Sequence, residues 1–226
     1  VKVPWLTKDE ISEKASDLIA DYQATTGLPI EPPIPVENMV EQYFKLKLSF
    51  EDLDEIMGLP DVLGATYVKA RRVCINKKLL ERGLEGRLEF TCAHEIGHWV
   101  LHRQYAEIQT RTESGGEVIV CRAKNTRAPI EWQADYFAGC LLLPRADVVR
   151  AFRKAFGTAA LVLHNIKSSI GRSLVCIDPC VENWPHIADK VCECGGFTNV
   201  SKHAMIIRLQ ELGLLVNLTH VPVGWS

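Results

Sequence analysis

The sequence predicts an α+β protein: a helical core carrying a small, mainly antiparallel sheet, followed by a smaller helical, helix-turn-helix-like region. Three observations predict this. Apolar residues recur at helical spacing through both halves of the chain, as in "DEISEKASDLIADYQ" and "RADVVRAFRKAF". Between residues 45 and 76 the period changes to two, over "KLKLSF" and "GATYVKARRVCIN". Proline and glycine then punctuate the segments, and Pro144 marks a change of character that places a boundary between a core at 1–143 and a C-terminal domain at 144–226.

The first helix follows from "LTKDEISEKASDLIADYQATTGLP". Thr7 and Glu10 form a capping box, Ile11, Ala15, Leu18, Ile19 and Tyr22 share one face, and Gly27 ends it. The proline-rich "LPIEPPIPVENMVEQYF" crosses into a second short helix with Val36, Met39, Val40 and Tyr43 inward. The alternating segments give strands joined by a tight polar turn whose "KARR" is read as a solvated tip. Two helices follow, at about 87–102 and 129–142. The linker between them is long and polar enough for a flap, and its "EVIVC" can add a strand. Beyond Pro144, "RADVVRAFRKAF", "ALVLHNIKSSI" and "VSKHAMIIRLQELGLL" read as helices.

A chain of 226 residues with 47% hydrophobic content buries a core without staples, and a net charge of −2 gives no global attraction to nucleic acid or anionic lipid. No apolar run approaches the roughly 18 residues of a membrane span. There are eight cysteines. Cys92 and Cys140 fall in helical apolar patterns, where a thiol packs as a small hydrophobe, so a reducing cytoplasm is expected. Cys176, Cys180, Cys192 and Cys194 are close in sequence but lack the Cys-x-x-Cys spacing of a zinc knuckle, so a second, cysteine-based metal site is not expected.

The chemistry sits in "FTCAHEIGHWVLH". On a helix, His94 and His98 lie one above the other and can aim ring nitrogens at one ion, with Glu95 beside the ion but not on it, placed to take a proton from water. A catalytic zinc needs three protein ligands and an open position. "HWVLHRQYA" lacks the glycine and later histidine that would supply a third ligand from the same run, and His102 comes too early. "PIEWQADYFAGCLLLP" offers a carboxylate instead: Pro129 starts a helix, Glu131 sits in its first turn, and Asp135 follows one turn on. Glu131 is therefore expected as the third ligand, and Asp135 as the acceptor for the free N–H of a ligating imidazole. The expected cofactor is a single Zn2+.

In these residues the chain resembles the ImmA/IrrE-type metallopeptidases. The resemblance runs through the first helix, "PPIPVENMVEQY", the sheet ending in "VCIN", "RLEFTCAHEIGHWVLH", "EWQADYFAGCLLLP" and "VSKHAMIIRLQELGLL", covering most of 7–216. It implies a cytoplasmic zinc endopeptidase with a gluzincin-like core that cuts helix-turn-helix transcriptional repressors, so that phage, mobile-element or stress-response genes are released. It also implies His94, His98 and Glu131 as zinc ligands and Glu95 as the catalytic residue. Asp135 stands where many relatives have asparagine. The segment 158–200, with its four cysteines, is an elaboration to which the resemblance assigns no role.

The expected mechanism is attack by a promoted water, with Glu95 as base and then acid. His102, Tyr105, Tyr136 and His164 are chemically suited to donate to the oxyanion. The alternative is a DNA-binding regulator, or one that sequesters its repressor and keeps the zinc site without proteolysis. For DNA, "NVSKHAMIIRLQELGLL" would be the recognition helix, capped by Ser201, with Ala204, Ile207 and Leu212 inward. Only Lys202, His203 and Arg208 would then face phosphates, so direct DNA binding is not expected.

Overall fold

The computed structural model describes residues 3–81, 83–112, 118–122, 128–163 and 183–218. The chain divides into two compact units: Val1–Ile30 with Ile34–Leu142, and Glu31–Pro33 with Leu143–Ser226.

In the first unit, α1 spans Lys8–Thr26, with the Thr7 side chain accepting from Glu10 N and the Glu10 carboxylate accepting from Thr7 N. Such a cap contributes about 1 kcal/mol. Gly27 closes the helix at φ 69°, a left-handed conformation that glycine adopts without a Cβ clash. Ile11, Ala15, Leu18 and Tyr22 are buried, whereas Ile19 is only partly so. The second helix is a single turn, α2 at Val36–Asn38, continued by a π-helical turn at Met39–Tyr43.

The sheet contains β1 (Lys47–Glu51), β2 (Val62–Tyr67), β3 (Arg72–Asn76) and β4 (Val118–Arg122) in the order β1-β3-β2-β4. It is mixed. β1 runs parallel to β3, while β2 is antiparallel to both β3 and β4. Helix α3 (Leu53–Met57) fills the crossover from β1, and Leu53 joins Val62, Ala65 and Cys74 in a cluster with Met57, Tyr67, Val118 and Val120. A register shift between Val62 and Gly64 puts Val62 on the same face as Ala65. Gly64 and Thr66 consequently face the other way, towards the helices. The "KARR" tip is not simply solvated: Arg71 donates to Phe44 O at 2.8 Å and Arg72 to Glu51 at 2.9 Å.

Helix α4 (Glu85–Gly97) passes through a π-helical turn at His98–His102 into α5 (Arg103–Thr112), one turn after another. The helix expected to stop near 102 thus takes in much of the supposed flap, because nothing in "HRQYAEIQT" breaks it. Helix α6 (Pro129–Leu142) packs against both α4 and α1. At Gly97 the fit is close: a Cβ there would lie 3.2 Å from Ala134 Cα and O, and 3.3 Å from Phe137 Cδ1.

The second unit holds α7 (Arg145–Phe156), α8 (Asn183–Gly195) and α9 (Lys202–Glu211), with a parallel pair of strands, β5 (Leu161–Leu163) and β6 (Leu215–Asn217). Two expectations need correcting. "ALVLHNIKSSI" begins as strand β5 rather than helix, since the short run "LVL" pairs with the "LVN" that follows α9. The inward face of α9 is Met205, Ile206 and Leu209, while Ile207 is 42% exposed. Arg208 is buried and donates to Leu143 O at 3.0 Å, so it is not presented for phosphates. The expected helix-turn-helix likeness of this region is not confirmed by three helices accompanied by a strand pair. Cys176, Cys180 and His164 lie outside the described residues. No helix among the described residues is long and apolar enough to cross a membrane.

Gly97→Val should lower stability by about 1–3 kcal/mol, the usual cost of overpacking a tight contact. Chemical denaturation of the metal-free protein measures this, and an unchanged midpoint would show that α4 and α6 have room to part.

Candidate metal centre

The centre is built where α4, its π-helical extension and the start of α6 meet beneath β2 and β4. His94 and His98 project from one face of α4 one turn apart, and Pro129 starts α6 so that Glu131 falls in its first turn. All three are buried, as is Glu95. His94 Nε2 and His98 Nε2 are 2.9 Å apart. Glu131 Oε2 lies 3.4 Å from the first and Oε1 3.5 Å from the second. One ligand atom from each of His94, His98 and Glu131 falls within 4.8 Å of the others.

Hydrogen bonds behind the ligands assign their protons. Gln133 Nε2 donates to Pro4 O at 2.8 Å, which orients its amide and turns Oε1 to His102 Nε2 at 3.0 Å. An amide oxygen only accepts, so His102 carries its proton on Nε2. His102 Nδ1 is then an acceptor for His98 Nδ1–H, 3.0 Å away, and His98 Nε2 is left with a bare lone pair. His94 Nδ1 faces Asp135 Oδ1 at 2.8 Å and donates to it. The two Nε2 atoms therefore meet across 2.9 Å with a carboxylate beside them, a gap that calls for positive charge: a proton or a metal ion.

The titration of these groups follows from the same surroundings. Burial works against charge on His94, yet Cys121, Asp135 and Glu131 hold its pKa well above the ordinary imidazole range. His98, buried between two other imidazoles, is held well below it. Burial raises Glu95 to about 7, despite the lowering effects of His94 and of Thr66, whose hydroxyl donates to Glu95 Oε2 at 2.5 Å. The other oxygen, Glu95 Oε1, is buried without a hydrogen-bond partner and lies against Gly64, where any Cβ would overlap it.

The structure thus brings His94, Glu95, His98, Glu131 and Asp135 to one place. His102 is there too, with both ring nitrogens engaged by His98 and Gln133. Tyr136 stacks on Trp132 at 5.7 Å with Lys8 Nζ 5.0 Å over its ring, and Tyr105 is half-buried on α5. Four participants escaped the reading of the sequence. Thr66 and Gly64 belong to the sheet and reach Glu95 only through tertiary packing. Gln133 had a legible sign in its position, two residues after Glu131, but its partner His102 is 31 residues away. Cys121 closes "EVIVC", whose alternation places it on the face of β4 opposite to Val118 and Val120.

The profile of the peptidase family M78, described as the IrrE N-terminal-like domain, matches residues 41–174, more than half of the chain and all of these site residues. The chain belongs to the M78 peptidase family. No curated protein matches it. Membership makes this an M78 metallopeptidase domain, and its His-His-Glu group could bind the metal ion that such a domain uses.

Burial lowers the pKa of His102 to about 4, against the opposing hydrogen bond to Gln133. The unfolded chain takes up this proton first, near the ordinary value of about 6.5, so the stability contributed by neutral His102 is present above that pH and lost as pH falls towards 4. In metal-free protein, the stability gap between wild type and His102→Asn should narrow between about pH 7 and pH 4.5. Denaturation midpoints across that range test it, and a gap that widens in acid contradicts it.

Proposed function

We propose that the protein is a zinc-dependent endopeptidase, working in the cytoplasm, that cleaves a helix-turn-helix transcriptional repressor. The observation that carries the peptidase reading is the convergence of two lone-pair imidazole nitrogens and the Glu131 carboxylate beside a buried glutamate with one free oxygen. The repressor as substrate rests on the resemblance to ImmA/IrrE-type enzymes seen in the sequence. A DNA-binding reading is weakened by the burial of Arg208.

The residues fit a zinc ion by donor type as well as position: two imidazoles and one carboxylate. When bound by His94, His98 and Glu131, the ion would polarise a peptide carbonyl and acidify a water. Glu95 accepts the proton of the attacking water at Oε1, while Thr66 holds Oε2. A pKa near 7 suits both halves of its task, since Glu95 must take that proton and then deliver it to the departing amine nitrogen. Asp135 keeps the His94 ring in the tautomer that leaves Nε2 bare, and His102 with Gln133 does the same for His98. Tyr105, Tyr136 and His164 are the oxyanion donors left to test, since both nitrogens of His102 are committed.

Incubating zinc-loaded protein with a candidate helix-turn-helix repressor should yield two fragments from a single cut, read by intact mass. Glu95→Gln should retain one zinc and lose roughly 10²–10⁴ in rate. If that variant still inactivates the repressor with zinc bound, the protein sequesters its target rather than cutting it. Glu131→Ala should lose zinc, whereas His102→Ala should keep it with an affinity weakened about 10- to 100-fold. Gly64→Ala should hold zinc normally and cleave about 100-fold more slowly, because its methyl group displaces the Glu95 carboxylate.

A further inference from the structure

Trp99 and Arg103 have no role in the hydrolysis above, although each follows a histidine of the centre, Trp99 after His98 and Arg103 after His102. Trp99 is buried, and two guanidiniums stand over its ring, Arg71 Cζ 5.4 Å from the centroid and Arg103 Cζ 5.5 Å from it. Each is tethered to a backbone carbonyl. Arg103 donates through Nη1 to Trp99 O at 2.8 Å, and Arg71 through Nη2 to Phe44 O, also at 2.8 Å. Neither makes an ion pair among the described residues. Arg103 turns back to Trp99 even though Glu107 lies one turn ahead of it on α5.

Two like charges on one ring repel each other, and the ring quadrupole offsets only part of that repulsion. The backbone adds a second sign. Arg71 has φ 48°, and Lys45, which follows the Phe44 carbonyl that holds Arg71, has φ 54°. Glycine or asparagine adopts this left-handed conformation with less strain, and other side chains kept there cluster where a ligand is held. Lys45 and Lys47 are exposed, and Lys47 N donates to Arg71 O at 3.0 Å. Four cations, Lys45, Lys47, Arg71 and Arg103, thus gather at one end of the sheet, and none of them is ion-paired among the described residues.

An anion completes such a place, and its shape selects the kind. A planar guanidinium fork matches a carboxylate through two parallel hydrogen bonds. Four cations are few for a DNA duplex, which a protein typically grips through roughly 6–10 phosphate contacts, and a net charge of −2 offers no wider attraction to a polyanion. The position also favours a peptide. Trp99 shares a π-helical turn with His98 and His102, and β2, which carries Gly64 and Thr66, leads into the turn of Arg71. Building on the metallopeptidase reading, we propose that Arg71 and Arg103 bind acidic side chains of the protein substrate, at a distance along its chain from the bond that is cut, and so hold that chain at the centre.

The test uses the full chain and two short fluorescein-labelled peptides, one with glutamate at alternate positions and one with glutamine in their place. Fluorescence anisotropy should show the acidic peptide bound at least tenfold more tightly than the glutamine peptide, with an affinity that falls as salt is raised. Arg71→Gln and Arg103→Gln should each weaken it at least tenfold. Arg71→Lys and Arg103→Lys keep the charge and should recover part of the loss, whereas Arg150→Gln, at an exposed arginine of α7, should bind as wild type does. With a cleavable protein substrate, both Gln variants should raise KM more than they lower kcat. Wild type alone tests the proposal through its salt dependence, even if a Gln variant does not fold. The proposal is overturned if the glutamine peptide binds equally well, if folded Gln variants bind the acidic peptide like wild type, or if these arginines hold duplex DNA in preference to it. Those outcomes leave the metallopeptidase reading intact, whereas a chain that binds the acidic peptide but takes up no zinc overturns that reading and, with it, the assignment of the acidic partner as a substrate.

Discussion

The close approach of α4 and α6 at Gly97 is the constraint on which the site depends. His94 and His98 flank Gly97 on one helix, and Glu131 and Asp135 flank Ala134 on the other. With Ala134 backbone atoms 3.2 Å from where a Cβ on Gly97 would lie, there is no slack between the helices at this level. Carboxylate and imidazoles are consequently set within a few ångströms before any ion arrives. A larger side chain at either position would move the two halves of the ligand set apart, because packed helices shift as rigid bodies rather than bend around an intruder. The glycine that lowers the helix propensity of α4 is thus what allows His94 and His98 to stand so close to Glu131 across two helices.

The sheet has a less obvious part. Its register shift at Val62 and Gly64 turns Gly64 and Thr66 towards Glu95, and the two act oppositely on the carboxylate. Thr66 grips one oxygen, and Gly64 leaves space around the other without offering it a hydrogen bond. Burial on this scale keeps Glu95 near neutrality in its titration instead of in the ordinary carboxylate range. The surroundings of the Glu95 carboxylate are therefore shaped by the strands, although Glu95 itself is carried by a helix.

Much of this was legible in the residues, and the boundary is physical. The capping box of α1, the two strands of "GATYVKARRVCIN" and the helices carrying "HEIGH" and "EWQAD" are local patterns, each set by neighbours within a turn or a hairpin. The grouping of His94, His98 and Glu131 could be read because metal chemistry restricts ligand number and type. Local pattern failed where long-range pairing decided the outcome. "ALVLHNIKSSI" looks helical until β6 pairs with its first residues, and Ile207 looks buried until Met205, Ile206 and Leu209 take the inward face of α9. It failed equally for Thr66, Gly64 and Cys121, whose importance lies in what stands opposite them in three dimensions. His102 shows the intermediate case: its place beside the ligands was evident, while its engagement on both sides depends on Gln133.

The hydrogen bond from Gln133 to Pro4 has a wider meaning than its single contact suggests. Pro4 precedes α1, and the segment is laid over α6 by the stacking of Trp5 on Trp132, ring centroids 4.9 Å apart. Through Gln133 and His102, that carbonyl decides which nitrogen of His98 keeps its proton. The proton placement on His98, a candidate ligand, is in this way tied to a peptide group 94 positions earlier in the chain, the difference between residues 98 and 4. A partner or fused sequence that lifted Trp5 from Trp132 would leave every ligand in place and still alter the site, by freeing a proton to choose the wrong nitrogen.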